Sequence, residues 1–372
     1  METIGCGTAI VTPFKADGSI DEPAFWSLVN WQIESGIDFI VACGSTGEAA
    51  TLDEDEWLRV VRLAIDAAAG RVPVWAGCTH NSTRALVRLA AHLKRVPGVA
   101  AVLSANPYYN KPTQEGQFQH FLALAREVDP LPVCVYNVPG RTAANLEPET
   151  VARLAAAAEN IEAIKEASGK LEQFSELAHI VPRGFKIFSG DDGLALAAIT
   201  VGAQGLISVA SNEAPAEVAR MIRAALNNNW DEARELERRF SRLFEANFWE
   251  SNPAPVKTVL SFMGKCGDQL RLPLVPPTPA TRANLERLAG EMGLLKHVPI
   301  PDGVRSECFE GNDAEKFISH ADGRALHDDF DGASSLRIAA GDTSESSEWL
   351  ANAEHDRAGD RRAAPGADSG PD

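Results

Sequence analysis

The stretch NIEAIKEASG, residues 160–169, ends an apolar run on a lysine, Lys165. An ammonium is costly to bury, and lysine is almost never fully buried without a partner. Lys165 is therefore either a surface lysine at a strand end or a neutral amine kept for chemistry. Apolar walls would lower its pKa, and a neutral amine attacks a carbonyl to give a Schiff base. That imine is an electron sink and acidifies the neighbouring carbon. Tyr136, in YNVPGRT, precedes Lys165 by 29 residues, one strand-to-strand repeat. Its phenol could donate and accept protons while the imine forms; the competing reading is a core tyrosine. Arg141 follows in the same loop, and its planar fork suits a substrate carboxylate. The alternative there is a surface arginine.

Two further loops carry polar groups. In CGSTGEAATL, Gly44 and Gly47 bracket Ser45 and Thr46. Small residues let backbone N–H groups approach an anion, and the hydroxyls add donors. No GK[ST] follows, so a carboxylate fits better than a nucleotide phosphate; an ordinary glycine-rich turn is the other reading. NPYYNKP supplies Tyr108 and Tyr109. The chain has only three tyrosines, and all three fall in two loops of this kind. A sequence using tyrosine for bulk packing would scatter it.

These loops must be positioned by a scaffold. Eight β-type runs occur between residues 4 and 210: GTAIVTPF, DFIVACG, VPVWAG, VAAVLSANP, LPVCVYNVP, IEAIKEA, FKIFSGD and QGLISVA. Segments of helical periodicity separate them. One is DEDEWLRVVRLAIDAAA, for which Thr51 and Glu54 form a candidate capping box. Others include STRALVRLAAHLKRV and DGLALAAITVG. An open doubly wound sheet and a closed (β/α)₈ TIM barrel both alternate in this way. The count of eight favours the barrel, as do the polar residues clustered after the strands, because a barrel gathers them on one face. No G-x-G-x-x-G follows the first strand. The catalytic barrel is expected over residues 1–212 and a C-terminal helical region over 213–300. Residues 301–372 lack periodicity and carry 17 acidic and 7 basic residues, composition expected of a disordered acidic tail.

The whole chain carries a net charge of −17. That opposes binding to nucleic acid or to an anionic membrane surface. No apolar run is long enough to cross a bilayer, and METIGCGTAI lacks the pattern of a signal peptide. The six cysteines are scattered without a CxxC pair, so no zinc site, disulfide framework or other metal or cofactor is expected. A reducing cytoplasm fits that usage.

Six ordered motifs, GSTGEAATL, NPYYNKPTQEG, YNVPGRT, IKEASG, SGDDG and GLISV, span much of residues 4–297. Together they make the chain resemble the pyruvate-dependent class I aldolases of the dihydrodipicolinate synthase and N-acetylneuraminate lyase superfamily. The resemblance implies a TIM barrel with C-terminal helices, assembled as a homotetramer of tight dimers. It implies Lys165 as the Schiff-base lysine for pyruvate and Tyr136 as its proton shuttle. Ser45 and Tyr109 would complete a proton relay, Tyr109 reaching in from a neighbouring subunit. Thr46 would hold the pyruvate carboxylate and Arg141 that of L-aspartate 4-semialdehyde. Gly190 and Ile207 would line the pocket through backbone carbonyls. The reaction implied is the condensation of these two substrates in lysine and diaminopimelate biosynthesis. Ser45 departs from the synthase branch, which usually has threonine there, and GSTGE is also the spelling of the sialic-acid lyases. Arg141 points the other way, since sugar-acid branches generally lack it. A sugar-acid aldolase or dehydratase is thus the alternative within the superfamily, and a catalytically silent binding barrel the alternative outside it. Where lysine-sensitive members carry a serine, two histidines and a glutamate, this chain has Ala49, Glu54, Trp57 and Ala85, while Asn81 and Tyr108 remain. Weak feedback by lysine is implied.

Overall fold

A computed structural model describes residues 3–295 of the chain. The expectation of a disordered tail over 301–372 lies outside these residues. Eight parallel strands close a barrel in chain order: β1 Gly5–Ala9, β2 Phe39–Ala42, β3 Val74–Gly77, β4 Val99–Ala105, β5 Val133–Asn137, β6 Ile161–Glu166, β7 Lys186–Ser189 and β8 Gly205–Ser208. Helices connect them, so the expected (β/α)₈ architecture is the one observed. The ring closes where β1 pairs β8, with Gly5 opposite Gly205. A Cβ on Gly205 would lie 2.0 Å from the Gly5 carbonyl oxygen, so only glycine allows the two strands to meet there.

Successive side chains alternate between the barrel interior and the helix layer. Phe39, Trp75, Leu103, Cys134, Tyr136, Ala163, Phe188 and Ile207 belong to the inner cluster. Phe39 stacks on Trp75 with centroids 4.5 Å apart, and Phe188 meets both edge-on at 5.6 and 5.5 Å. Burying a side chain such as Phe39 contributes about 1.5–3 kcal/mol, and each aromatic pair about 0.5–1.5 more. The interior is thereby a packed plug below the polar ends of the strands.

The helix Glu54–Ala68 begins later than the Thr51–Glu54 pattern predicts. Asp53 is its N-cap: Glu56 N–H donates to Asp53 Oδ1 at 2.8 Å, and Asp53 N–H to Glu56 Oε2 at 3.1 Å. Thr51 is unavailable for capping, because it ends the 3₁₀ turn Ala49–Thr51 and its hydroxyl donates to the Glu48 carbonyl. Two other helical segments are broken. One becomes Thr83–Ala90 plus a 3₁₀ turn Leu93–Arg95, the other a 3₁₀ turn Asp192–Leu194 followed by Ala195–Thr200. Beyond β8 stand the helices Pro215–Leu226, Trp230–Ala246, Ala254–Phe262 and Pro279–Glu291, in the expected helical region. Pro215–Leu226 packs on β1 and β8, outside the seam of the barrel. No helix among the described residues is long and apolar enough to cross a membrane.

Candidate active site

Tyr136 and Lys165 are direct register partners across β5 and β6, near the C-terminal ends of both strands. Inward alternation turns both toward the barrel mouth, and Lys165 Nζ lies 4.5 Å from the Tyr136 ring centroid. Both are buried, at 5% and 7% exposure. No hydrogen bond or ion pair reaches Nζ among the described residues. Burial lowers the Lys165 pKa from 10.5 to about 8; nearby Asp192 and Cys134 oppose that fall and Arg141 adds to it. At pH 7 about a tenth of such amines are neutral, against about 0.03% at the ordinary value. Burial pushes the Tyr136 phenol up to about 12, with Arg141 pulling it down and Glu166 adding to the rise. Tyr136 is therefore a neutral phenol at physiological pH, able to donate its proton and to take up another only as its own is passed on.

The lysine is walled in tightly. A Cβ on Gly190 would come within 2.7 Å of Lys165 Cε, so a side chain at 190 would displace the amine. Ile207, on β8, is fully buried in the inner cluster. Asp192 stands behind the site: it accepts from the Ser208 hydroxyl, from Val209 N–H at 3.0 Å and from Ala210 N–H at 3.4 Å. Burial raises its pKa, and these hydrogen bonds counter the rise. Glu166, next in sequence to Lys165, faces outward. It accepts from Asn137 Nδ2 at 2.9 Å, Gln173 Nε2 at 2.8 Å and Ser168 N–H at 2.6 Å, tying β5 and β6 to the following helix.

The remaining predicted residues are placed differently from one another. Thr46 is buried and accepts a hydrogen bond from Asn252 Nδ2 at 3.0 Å. Ser45 is exposed, and its hydroxyl has no partner among the described residues. Arg141 is also exposed, on the short helix Pro139–Thr142, and its charge acts on both Lys165 and Tyr136. Tyr109 is 87% exposed, with φ at +74°. Lys165, Tyr136, Gly190 and Ile207 are thus brought together in one subunit, whereas Ser45 and Tyr109 make no contact with them that a hydrogen bond records.

Three groups escaped the sequence reading. Asp192 lies in SGDDG, but nothing in two adjacent aspartates tells which is buried. Asn252 and Lys257 lie in NPAPVK, which reads only as the start of a helix. Lys257 is a second fully buried lysine, and its partner is Glu48, with Nζ 2.7 Å from Oε1. The two lysines differ in their surroundings: Lys257 is balanced by an ion pair with Glu48, whereas Lys165 has no ion-pair partner among the described residues, and burial, its largest influence, lowers its pKa.

Comparison with known proteins accords with this geometry. The chain matches the dihydrodipicolinate synthetase family over residues 2–292. It is 58% identical over 301 residues to the 4-hydroxy-tetrahydrodipicolinate synthase of Acidobacterium capsulatum, covering 81% of this chain and 99% of that protein. It is 53% identical over 300 residues to the enzyme of the same name from Koribacter versatilis, covering 81% and 99%. The crystal structure of dihydrodipicolinate synthase from Aquifex aeolicus superposes with a TM-score of 0.77 at 40% identity, covering 79% of this chain and all of that one. With an eight-stranded barrel, a desolvated lysine at its mouth and relatives matched over nearly their whole length, the chain belongs to the dihydrodipicolinate synthetase family.

Proposed function

We propose that this chain is a 4-hydroxy-tetrahydrodipicolinate synthase, condensing pyruvate with L-aspartate 4-semialdehyde in the route to diaminopimelate and lysine. The observation that carries the reading is Lys165, a buried amine with no ionic partner beside a neutral Tyr136. Relatives carrying that name, 58% and 53% identical, support it. The neutral amine of Lys165 attacks the ketone carbon of pyruvate, and water leaves as the imine forms. Tyr136 carries the protons of that dehydration. Loss of a methyl proton gives the enamine, whose carbon bonds to the aldehyde carbon of the second substrate. That substrate's amine then displaces Lys165 from the imine carbon, closing the ring and freeing the enzyme.

In this reading Thr46 binds the pyruvate carboxylate, Arg141 that of the semialdehyde, and Gly190 and Ile207 offer backbone carbonyls to the ligand. Ser45 and Tyr109 extend the proton relay. Tyr109, held out from its own subunit at positive φ, suits a residue that enters a neighbour's mouth, and supports a homotetramer built as a dimer of dimers. The free, buried Cys6, Cys43, Cys78 and Cys134 support a cytoplasmic setting. Steady-state assay with pyruvate plus aspartate semialdehyde, against pyruvate plus N-acetylmannosamine, tests the reading. Turnover with the first pair is expected. Turnover with the sugar alone would move the chain to the sugar-acid branch, and turnover with neither would mark a silent barrel.

A further inference from the structure

The segment 252–257 sends two buried side chains back to the loop that carries Thr46. Lys257 and Glu48 are both without exposed side-chain surface. Lys257 Nζ donates to Glu48 Oε1 at 2.7 Å and to the Thr12 carbonyl at 2.9 Å, and it lies 4.4 Å from the Phe14 ring centroid. Glu48 sits at φ +54°, in the left-handed region, where a non-glycine residue persists only when its surroundings hold it. The Thr12 hydroxyl donates to the Gly47 carbonyl at 2.7 Å. Asn252 Nδ2 donates to Thr46 Oγ1 at 3.0 Å. Residues 46, 47 and 48 are thus each held by a side chain remote in sequence, two of them by this one segment. Asn252 is 4% exposed, and its Oδ1 has no hydrogen-bond partner among the described residues.

A threonine hydroxyl has one hydrogen and two lone pairs. Accepting from Asn252 occupies a lone pair and leaves the hydrogen free to donate. A carboxylate offers only acceptors, so it needs the hydroxyl in that sense. We infer that Asn252 is a positioning residue that fixes the Thr46 hydroxyl as a donor toward a 2-oxo-acid carboxylate, and that the Lys257–Glu48 pair holds the loop in the register this requires. The inference deepens the reading in which Thr46 binds the carboxylate of pyruvate, and rests on it.

The test uses the full chain, with KM for each substrate, kcat and Tm measured separately. Thr46→Val keeps the shape and removes the hydroxyl. Asn252→Asp keeps the shape and accepts the Thr46 proton, turning lone pairs toward the ligand. Asn252→Ala removes the donor without adding charge. Losing one charge-assisted hydrogen bond corresponds to a rise of about tenfold or more in KM for pyruvate. That rise is expected for Thr46→Val and Asn252→Asp, and a smaller one for Asn252→Ala, with KM for aspartate semialdehyde unmoved. The double variant Glu48→Gln with Lys257→Met strands no charge; it is expected to raise KM for pyruvate while keeping its fold. A parent-like KM in Thr46→Val would remove the carboxylate reading of Thr46, and the inference with it. A raised KM in Thr46→Val with parent values in both Asn252 variants would overturn the inference alone. Parallel loss in kcat and both KM values with a lowered Tm in the Asn252 variants would show a merely structural residue, and overturn it too.

Discussion

Replacing Lys165 by methionine should make the protein more stable at neutral pH while abolishing its chemistry. Lys165 is 5% exposed, and no carboxylate pairs with its Nζ among the described residues. The interval between the ordinary 10.5 and about 8 corresponds to about 3 kcal/mol at most, held against the folded state. The direction follows from the proton count. The unfolded chain keeps its proton up to pH 10.5, and the folded chain releases it near 8. Between those values the unfolded state binds more protons, so stability rises with pH; below pH 8 the cost is present in full. Methionine fills the same apolar volume without charge. Thermal unfolding of Lys165→Met and of the parent, each scanned from pH 6 to 10.5, checks this. The variant should melt several degrees higher at pH 7, and the gap should narrow steadily above pH 8. An equal or lower Tm at pH 7, or a gap independent of pH, would mean that the ammonium is solvated or paired in the native state. The argument for a neutral nucleophile would then lose its physical basis.

Other outcomes follow from the same geometry. The rate of imine formation from pyruvate should rise about tenfold between pH 7 and a plateau above pH 8, as the neutral fraction of Lys165 fills; single-turnover kinetics across that range measures it. Arg141→Ala should raise KM for aspartate semialdehyde about tenfold or more and leave that for pyruvate nearly unchanged; equal effects on both would mark a structural arginine. Free lysine should inhibit only above the millimolar range. Trp57 fills the core with its indole N–H on the Gly77 carbonyl at 2.8 Å and offers an ammonium no acceptor, Ala85 carries no carboxylate, and Glu54, 2.7 Å from His92 Nε2, is the one acidic group left at these positions. Initial rates against lysine concentration decide that, and half-inhibition below a millimolar would refute it. Deleting residues 301–372, whose composition is acidic and aperiodic, should leave turnover and Tm unchanged; a drop in either would contradict that reading.

Much of this was legible because strand and helix periods differ. The eight apolar runs and the polar residues at their ends announced a barrel, and Lys165 was legible as a charge where an apolar strand should continue. Tyr136 was legible because its spacing from Lys165 is one repeat of the barrel. Other features depend on tertiary contact and leave no local trace. Glu54 looks as good a capping partner as Glu56 until the turn Ala49–Thr51 claims Thr51. Lys257 reads as an ordinary helical lysine, because its partner Glu48 is 209 residues away. Asn252 meets Thr46 across 206 residues. Asp192 could not be told from Asp191 until the fold buried one of them.

The central claim is that Lys165 is the nucleophile. Borohydride reduction in the presence of pyruvate, followed by peptide mass analysis, tests it most directly. The account predicts a single reduced pyruvate adduct on the peptide containing Lys165, and none on the peptide containing the ion-paired Lys257. No adduct, or an adduct confined to another lysine, would contradict it.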